Sequence, residues 1–90
     1  MSRFIIEREF RNGLLVPITA EGAEACARIV AINGGKGVTW VHSYVSADKT
    51  RSYCVYDSPS AQAIRDVAQL NQLPVGSITQ VTVLDPYFYY

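Results

Sequence analysis

Few residues in this chain are able to do chemistry. It carries one histidine, His42, and two cysteines, Cys26 and Cys54. Histidine is the side-chain type that changes charge near neutral pH, so His42 is the first candidate for a general base or a metal ligand. Trp40 and Tyr44 flank it at two-residue spacing, and Glu7 and Glu9 repeat that spacing near the N-terminus. Residues at i and i+2 of a strand share a face, which places Trp40, His42 and Tyr44 together and Glu7 with Glu9. Tyr53 joins them if its segment pairs with the histidine's. A histidine, two carboxylates and two tyrosines around an apolar cavity make a general base with an orienting acid, or part of a metal site completed across a dimer. The structural alternative is a histidine hydrogen-bonded in an interface, with Glu7 and Glu9 paired to Arg51 or Arg8.

The other reactive types fit less well. Cys26 and Cys54 form no CxxC pair, so neither a disulfide framework nor a zinc spacing is present. Gly34-Gly35-Lys36-Gly37 follows a helical pattern, whereas phosphate-binding loops follow a strand and open a helix, so this run is a turn. No GxSxG elbow surrounds Ser43, Ser52 or Ser58, which argues against a serine hydrolase.

These residues need elements to hold them. Residues 3–9 predict a first strand that stops at the Asn12-Gly13 turn signal. Thr19 is placed to cap a helix over residues 20–33, with Ala23, Cys26, Ile29, Val30 and Asn33 on one side and Gly34-Gly35 as its left-handed exit. Residues 38–45 alternate with period two and predict a second strand, and residues 51–57 return as its hairpin partner after the Ala47-Asp48-Lys49 turn. Ser58 and Pro59 then read as N-cap and first turn of a helix carrying Ile64, Val67, Ala68 and Asn71 on one face. Residues 77–84 predict the last strand. The order βαββαβ predicts a ferredoxin-like α+β fold, a four-stranded antiparallel sheet with two helices on one face. The 90 residues and 10.0 kDa predict a single domain over 1–90, with an aromatic tail at 86–90.

One sheet face is then left open. If Val45 lies opposite Thr50, then Tyr44 faces Arg51, His42 faces Tyr53 and Trp40 faces Val55, on the same side as Ile5, Glu7, Glu9 and Leu84. Val41, Val45, Cys54 and Tyr56 turn to the helices, with Phe4 and Ile6. Such an aromatic face exceeds what a monomer usually exposes, and a second copy stacking sheet on sheet is the expected cover, with the 86–90 tail as an arm. Zero net charge gives no field for nucleic acid or an anionic membrane surface, and no apolar run reaches the roughly 18 residues of a membrane span. Charges interrupt the N-terminal apolar residues, unlike a secretion signal, and the expected location is the cytoplasm.

The segments 37–45, 53–60 and 63–65, with Asp48-Lys49 between them, resemble the small bacterial proteins grouped as domain of unknown function family 4242. That family includes a nickel-binding protein with a dimeric ferredoxin-like fold. The resemblance implies the fold and the homodimer, for which the open face is the expected surface, and it makes nickel or another divalent metal a candidate, not an assigned, cofactor, with His42 the one imidazole here and no ligand set carried over. The expected function is binding of a small ligand or transition-metal ion on the open face by His42, Glu7, Glu9, Trp40, Tyr44 and Tyr53. The alternative is a cofactor-independent enzyme of monooxygenase or isomerase type, its pocket between sheet and helices or at the dimer interface. RNA binding on the open sheet lacks both the RNP1 pattern and positive charge.

Overall fold

A computed structural model describes residues 1–14 and 20–88. Its elements are β1 (Ser2–Glu9), α1 (Ala20–Gly34), β2 (Thr39–Val45), β3 (Arg51–Ser58), α2 (Ala61–Leu70), β4 (Ser77–Val81) and a 3-10 turn (Pro86–Phe88). The strands form one antiparallel sheet in the order β2-β3-β1-β4. This is the predicted ferredoxin-like arrangement. Among the described residues no helix is long and apolar enough to cross a membrane.

The central pair β1 and β3 aligns Phe4 with Tyr56, Ile6 with Cys54 and Arg8 with Ser52. All six are buried on the face that the helices cover, so period-two alternation decides which side chains enter the core. Phe4, Ile6, Cys54 and Tyr56 meet Val38, Ile64 and Val67 there. In α2 the expected stripe holds, with Ile64, Val67 and Ala68 buried. In α1 the stripe is rotated from the expected one. Gly22 and Asn33 are buried and Ala25, Cys26, Ile29 and Ile32 half-buried, whereas Ala23 and Val30 face water. The two isoleucines present more apolar surface than an alanine and a valine, and they set the helix's rotation. The Asn71 amide of α2 donates to the Asn33 side-chain oxygen at 3.1 Å, tying the helices together at one end.

Several boundaries differ from expectation for identifiable reasons. The expected cap Thr19 lies outside the described residues. Helix α1 runs through Gly34, and the positive φ falls instead on Gly37 (72°), after Lys36 and Val38 have both donated to the Asn33 carbonyl. Ser58 does not cap α2. It is buried at the end of β3, where its hydroxyl donates to the Ser60 carbonyl, and Ser60 is the cap, its Oγ accepting from the Ala63 N–H at 3.1 Å. Strand β4 ends at Val81, not residue 84. Its partner β1 begins at Ser2 and aligns Arg3 with Val81, so no ladder remains beyond that point. Leu84, expected on the open face, stands past the sheet and is 78% exposed.

Loss of the Ser60 cap leaves a helix N–H without its side-chain acceptor, at a cost of about 1 kcal/mol. Ser60→Ala is therefore expected to lower the unfolding free energy by that amount, read by circular dichroism as a lower urea midpoint at unchanged slope.

Candidate functional site

The β2–β3 hairpin decides which side chains share a surface. Its turn is organised by Asp48, whose Oδ1 accepts from the Ser46 hydroxyl (2.7 Å), the Thr50 N–H (3.0 Å) and the Thr50 hydroxyl (2.7 Å) while Lys49 takes the left-handed φ of 64°. The Thr50 N–H, then the two hydroxyls, hold the Asp48 carboxyl at about 2 against its ordinary 3.8. Ser46 lies opposite Arg51, its N–H donating to the Arg51 carbonyl at 2.9 Å, so the strands pair Val45 with Ser52, Tyr44 with Tyr53 and His42 with Val55. That register is two residues from the predicted one. A two-residue shift preserves faces, so His42, Tyr44 and Tyr53 still point away from the helices.

Trp40 does not. A bulge between Trp40 and His42 inserts one extra residue, Val41, and Trp40 pairs with Tyr56 on the helix side. The expectation that Trp40 joins His42 on the open face is corrected by this single insertion. The indole packs against the core, and its Nε1–H donates to the Ser43 hydroxyl at 2.8 Å.

The open face therefore gathers five of the six candidate residues. His42 and Tyr44 meet edge to face, ring centres 5.1 Å apart. Tyr44, Tyr53 and Glu7 form one cross-strand row, and His42, Val55 and Ile5 the next. Glu7 accepts from Arg51 at 2.8 Å, and Glu9, paired in register with Arg51, helps push that guanidinium's pKa upward after the Glu7 hydrogen bond. Glu7 pairs with Arg51, as expected; Arg8 lies on the other face. Arg3 grips Asp57 through Nε (2.9 Å) and Nη2 (3.1 Å), which holds the Asp57 carboxyl below its ordinary range. His42 lies two strands from Glu7 and Glu9, roughly 10 Å at sheet spacing, beyond the reach of one ion. Among the described residues no group of three or more His, Cys, Asp or Glu side chains is placed to hold a metal. The described residues of one chain therefore supply no nickel site by themselves.

The opposite face contains a cavity of about 290 Å³ between α1 and the sheet. Cys26 and Ile29 of α1 line it from one side and Trp40, Cys54 and Tyr56 of the sheet from the other, with Phe10, Leu14 and Leu73 also on its lining. Both cysteines thus face the helix–sheet layer, as predicted. Arg8 also lines this cavity, although its side chain is only 1% exposed overall. A wider depression of about 560 Å³ lies at the sheet's end around Arg3, Asp57 and Val83, where the charged pair is already mutually satisfied.

Comparison with known proteins places this fold. The family described as nickel responsive protein SCO4226-like matches residues 4–81. The chain belongs to that family. The crystal structure of SCO4226 from Streptomyces coelicolor A3(2) superposes with a TM-score of 0.74, covering 93% of this chain and 100% of that one at 18% identity. At that identity the likeness shows the shared fold. No curated protein matches the chain. Arg8, expected as an alternative partner for Glu7 and Glu9, is instead buried on the helix side. The signal was present, since parity that sends Glu7 and Glu9 outward must send Arg8 inward, but alternating charge reads as a solvated strand.

Because the folded-state pKa of Asp48 is depressed, its stabilising contribution is complete above the ordinary carboxyl pKa and is lost as pH falls toward about 2. Asp48→Asn is expected to be less stable than the parent at neutral pH, with the gap closing between about pH 4 and pH 2. Urea unfolding across that range checks it; a gap independent of pH would show that the carboxylate charge is immaterial.

Proposed function

We propose that the chain is a small-molecule binding protein whose ligand enters the cavity between α1 and the sheet, and that it works as a two-fold pair joined through the open face. The cavity carries this reading. Its walls are mostly apolar, a few polar groups converge on it (Arg8, Ser43, Ser52 and the Tyr56 hydroxyl), and its volume of about 290 Å³ lies at the low end of small-molecule sites. Its described lining holds no histidine or carboxylate, which favours binding without turnover over the monooxygenase- or isomerase-like alternative. Trp40, the chain's single tryptophan, sits in the wall and reports occupancy directly. A screen of small aromatic fragments, neutral and anionic, is expected to yield members that shift Trp40 emission. Ala25→Phe, which fills the cavity from α1, is expected to abolish those shifts. Binding that survives this change would place the ligand elsewhere.

Pairing is supported by what the monomer leaves bare. Tyr44 on the open face is 63% exposed, and Val83, Leu84 and Tyr87 stand uncovered beyond β4. The open-face patch is narrower than predicted, because Trp40 has left it and Val55 is buried among its neighbours. A second copy placed face to face covers Ile5, His42, Tyr44 and Tyr53, with the segment after Val81 reaching across.

A second reading follows from the family description. His42 is exposed on the same face, and a divalent metal bound there would draw its remaining ligands from the second copy. Light scattering is expected to give twice 10.0 kDa at micromolar concentration. Calorimetric titration with nickel is expected to release heat that His42→Ala removes. A monomer would overturn the pairing, and a flat titration the metal reading.

A further inference from the structure

Among the described residues, Arg8 is a charge buried without a counter-charge. Its Nη1 donates to the Pro74 carbonyl at 2.7 Å and its Nη2 to the Tyr56 hydroxyl at a long 3.3 Å, while Nε has no partner. The two ion pairs among the described residues, Arg3–Asp57 and Arg51–Glu7, both lie on the other face. The Tyr56 ring, 5.9 Å from the guanidinium carbon, offsets part of the charge. A water molecule would satisfy an N–H but leave the charge uncompensated. Buried charges are ordinarily paired, and an arginine in a small protein's interior is costly when it is not. An apolar side chain of similar length would line this wall at less cost, so the guanidinium calls for a role beyond packing.

We propose that Arg8 is the anion anchor of the cavity, and that the ligand is a small monocarboxylate with an apolar body. This rests on the reading of the cavity as a ligand site and names the class of molecule it takes. Arg3 grips Asp57 with Nε and Nη2 along one edge of its guanidinium; on the same edge of Arg8, Nε has no partner and Nη2 has only the long contact to the Tyr56 hydroxyl. A flat carboxylate matches that edge with two parallel hydrogen bonds. The Tyr56 hydroxyl accepts from Arg8, so its own hydrogen is available to the same carboxylate. The remaining walls, Cys26, Ile29, Trp40, Cys54 and Leu73, take up the apolar body. They supply no second cation, which separates a monocarboxylate from a phosphate, whose greater charge needs several donors.

The test compares 4-ethylbenzoate with its neutral isostere 4-ethylbenzyl alcohol, each titrated against the full chain. Trp40 emission gives the affinity, and the Arg8 Nε–H resonance gives the contact. The benzoate is expected to bind about tenfold to a hundredfold more tightly than the alcohol and to move the Nε–H signal downfield, as a charge-assisted hydrogen bond does. Arg8→Met is expected to fold with an unchanged or higher Tm and to lose that preference while retaining the alcohol's affinity. Tyr56→Phe is expected to weaken the benzoate alone. Equal affinity for the two probes, or an Arg8 signal unmoved by the benzoate, would overturn the anion anchor and leave the cavity standing as an apolar site. Inorganic phosphate competing as well as the benzoate would overturn the choice of an apolar carboxylate. Failure of both probes to perturb Trp40 would remove the cavity reading itself. Should Arg8→Met not fold, the isostere pair and the Nε–H shift on the parent chain decide alone.

Discussion

The antiparallel pairing of β1 with β3 constrains everything else. These are the two central strands, and each residue in them must face either the helices or the open side. Once Phe4 lies opposite Tyr56 and Ile6 opposite Cys54, the apolar face is committed to α1 and α2, and Arg8 opposite Ser52 is carried inside with it. A slip of β1 by one residue would set Ile5 opposite Tyr56 and Glu7 opposite Cys54, burying Ile5 and Glu7 and exposing Phe4 and Ile6. Taking Glu7 from its ion pair with Arg51 into an apolar layer would be far more costly than keeping Arg8 there, where Pro74, Tyr56 and the cavity wall surround it.

The bulge at Val41 divides the chemistry of the hairpin between two surfaces. Without it, Trp40, His42 and Tyr44 would form one aromatic stripe on the open face, as their spacing suggests. With it, the tryptophan enters the cavity wall and the histidine stays outside with the two tyrosines. The molecule thus has two unlike faces: an exposed imidazole among aromatics and salt bridges on one, and on the other a partly open, mostly apolar cavity with one cation in its wall.

Family membership and the interior pull in different directions. The SCO4226-like family is described by its response to nickel, yet the described residues of one chain place no metal-binding cluster, and the feature most at odds with ordinary packing is a buried guanidinium. A shared ferredoxin-like frame at 18% identity is compatible with different ligands, because the frame sets positions and the side chains set chemistry.

The order of elements, the antiparallel sheet and the α2 stripe were legible in the sequence because each rests on local periodicity: two for strands, three and four for Ile64, Val67 and Ala68. So were His42, Tyr44, Tyr53, Glu7 and Glu9 on one face, since a two-residue error in register leaves every face unchanged. Three things were decided only in three dimensions. The side Trp40 takes depends on a one-residue bulge, and nothing local to Val41 announces where a ladder will skip. The end of β4 depends on where its partner β1 begins, more than seventy residues earlier in the chain. The isolation of Arg8 depends on which groups from α1, β3 and the Leu73-Pro74 segment surround it, and a sequence lists charges without their distances. Periodicity is written into the order of residues; the absence of a counter-charge arises only when distant segments meet.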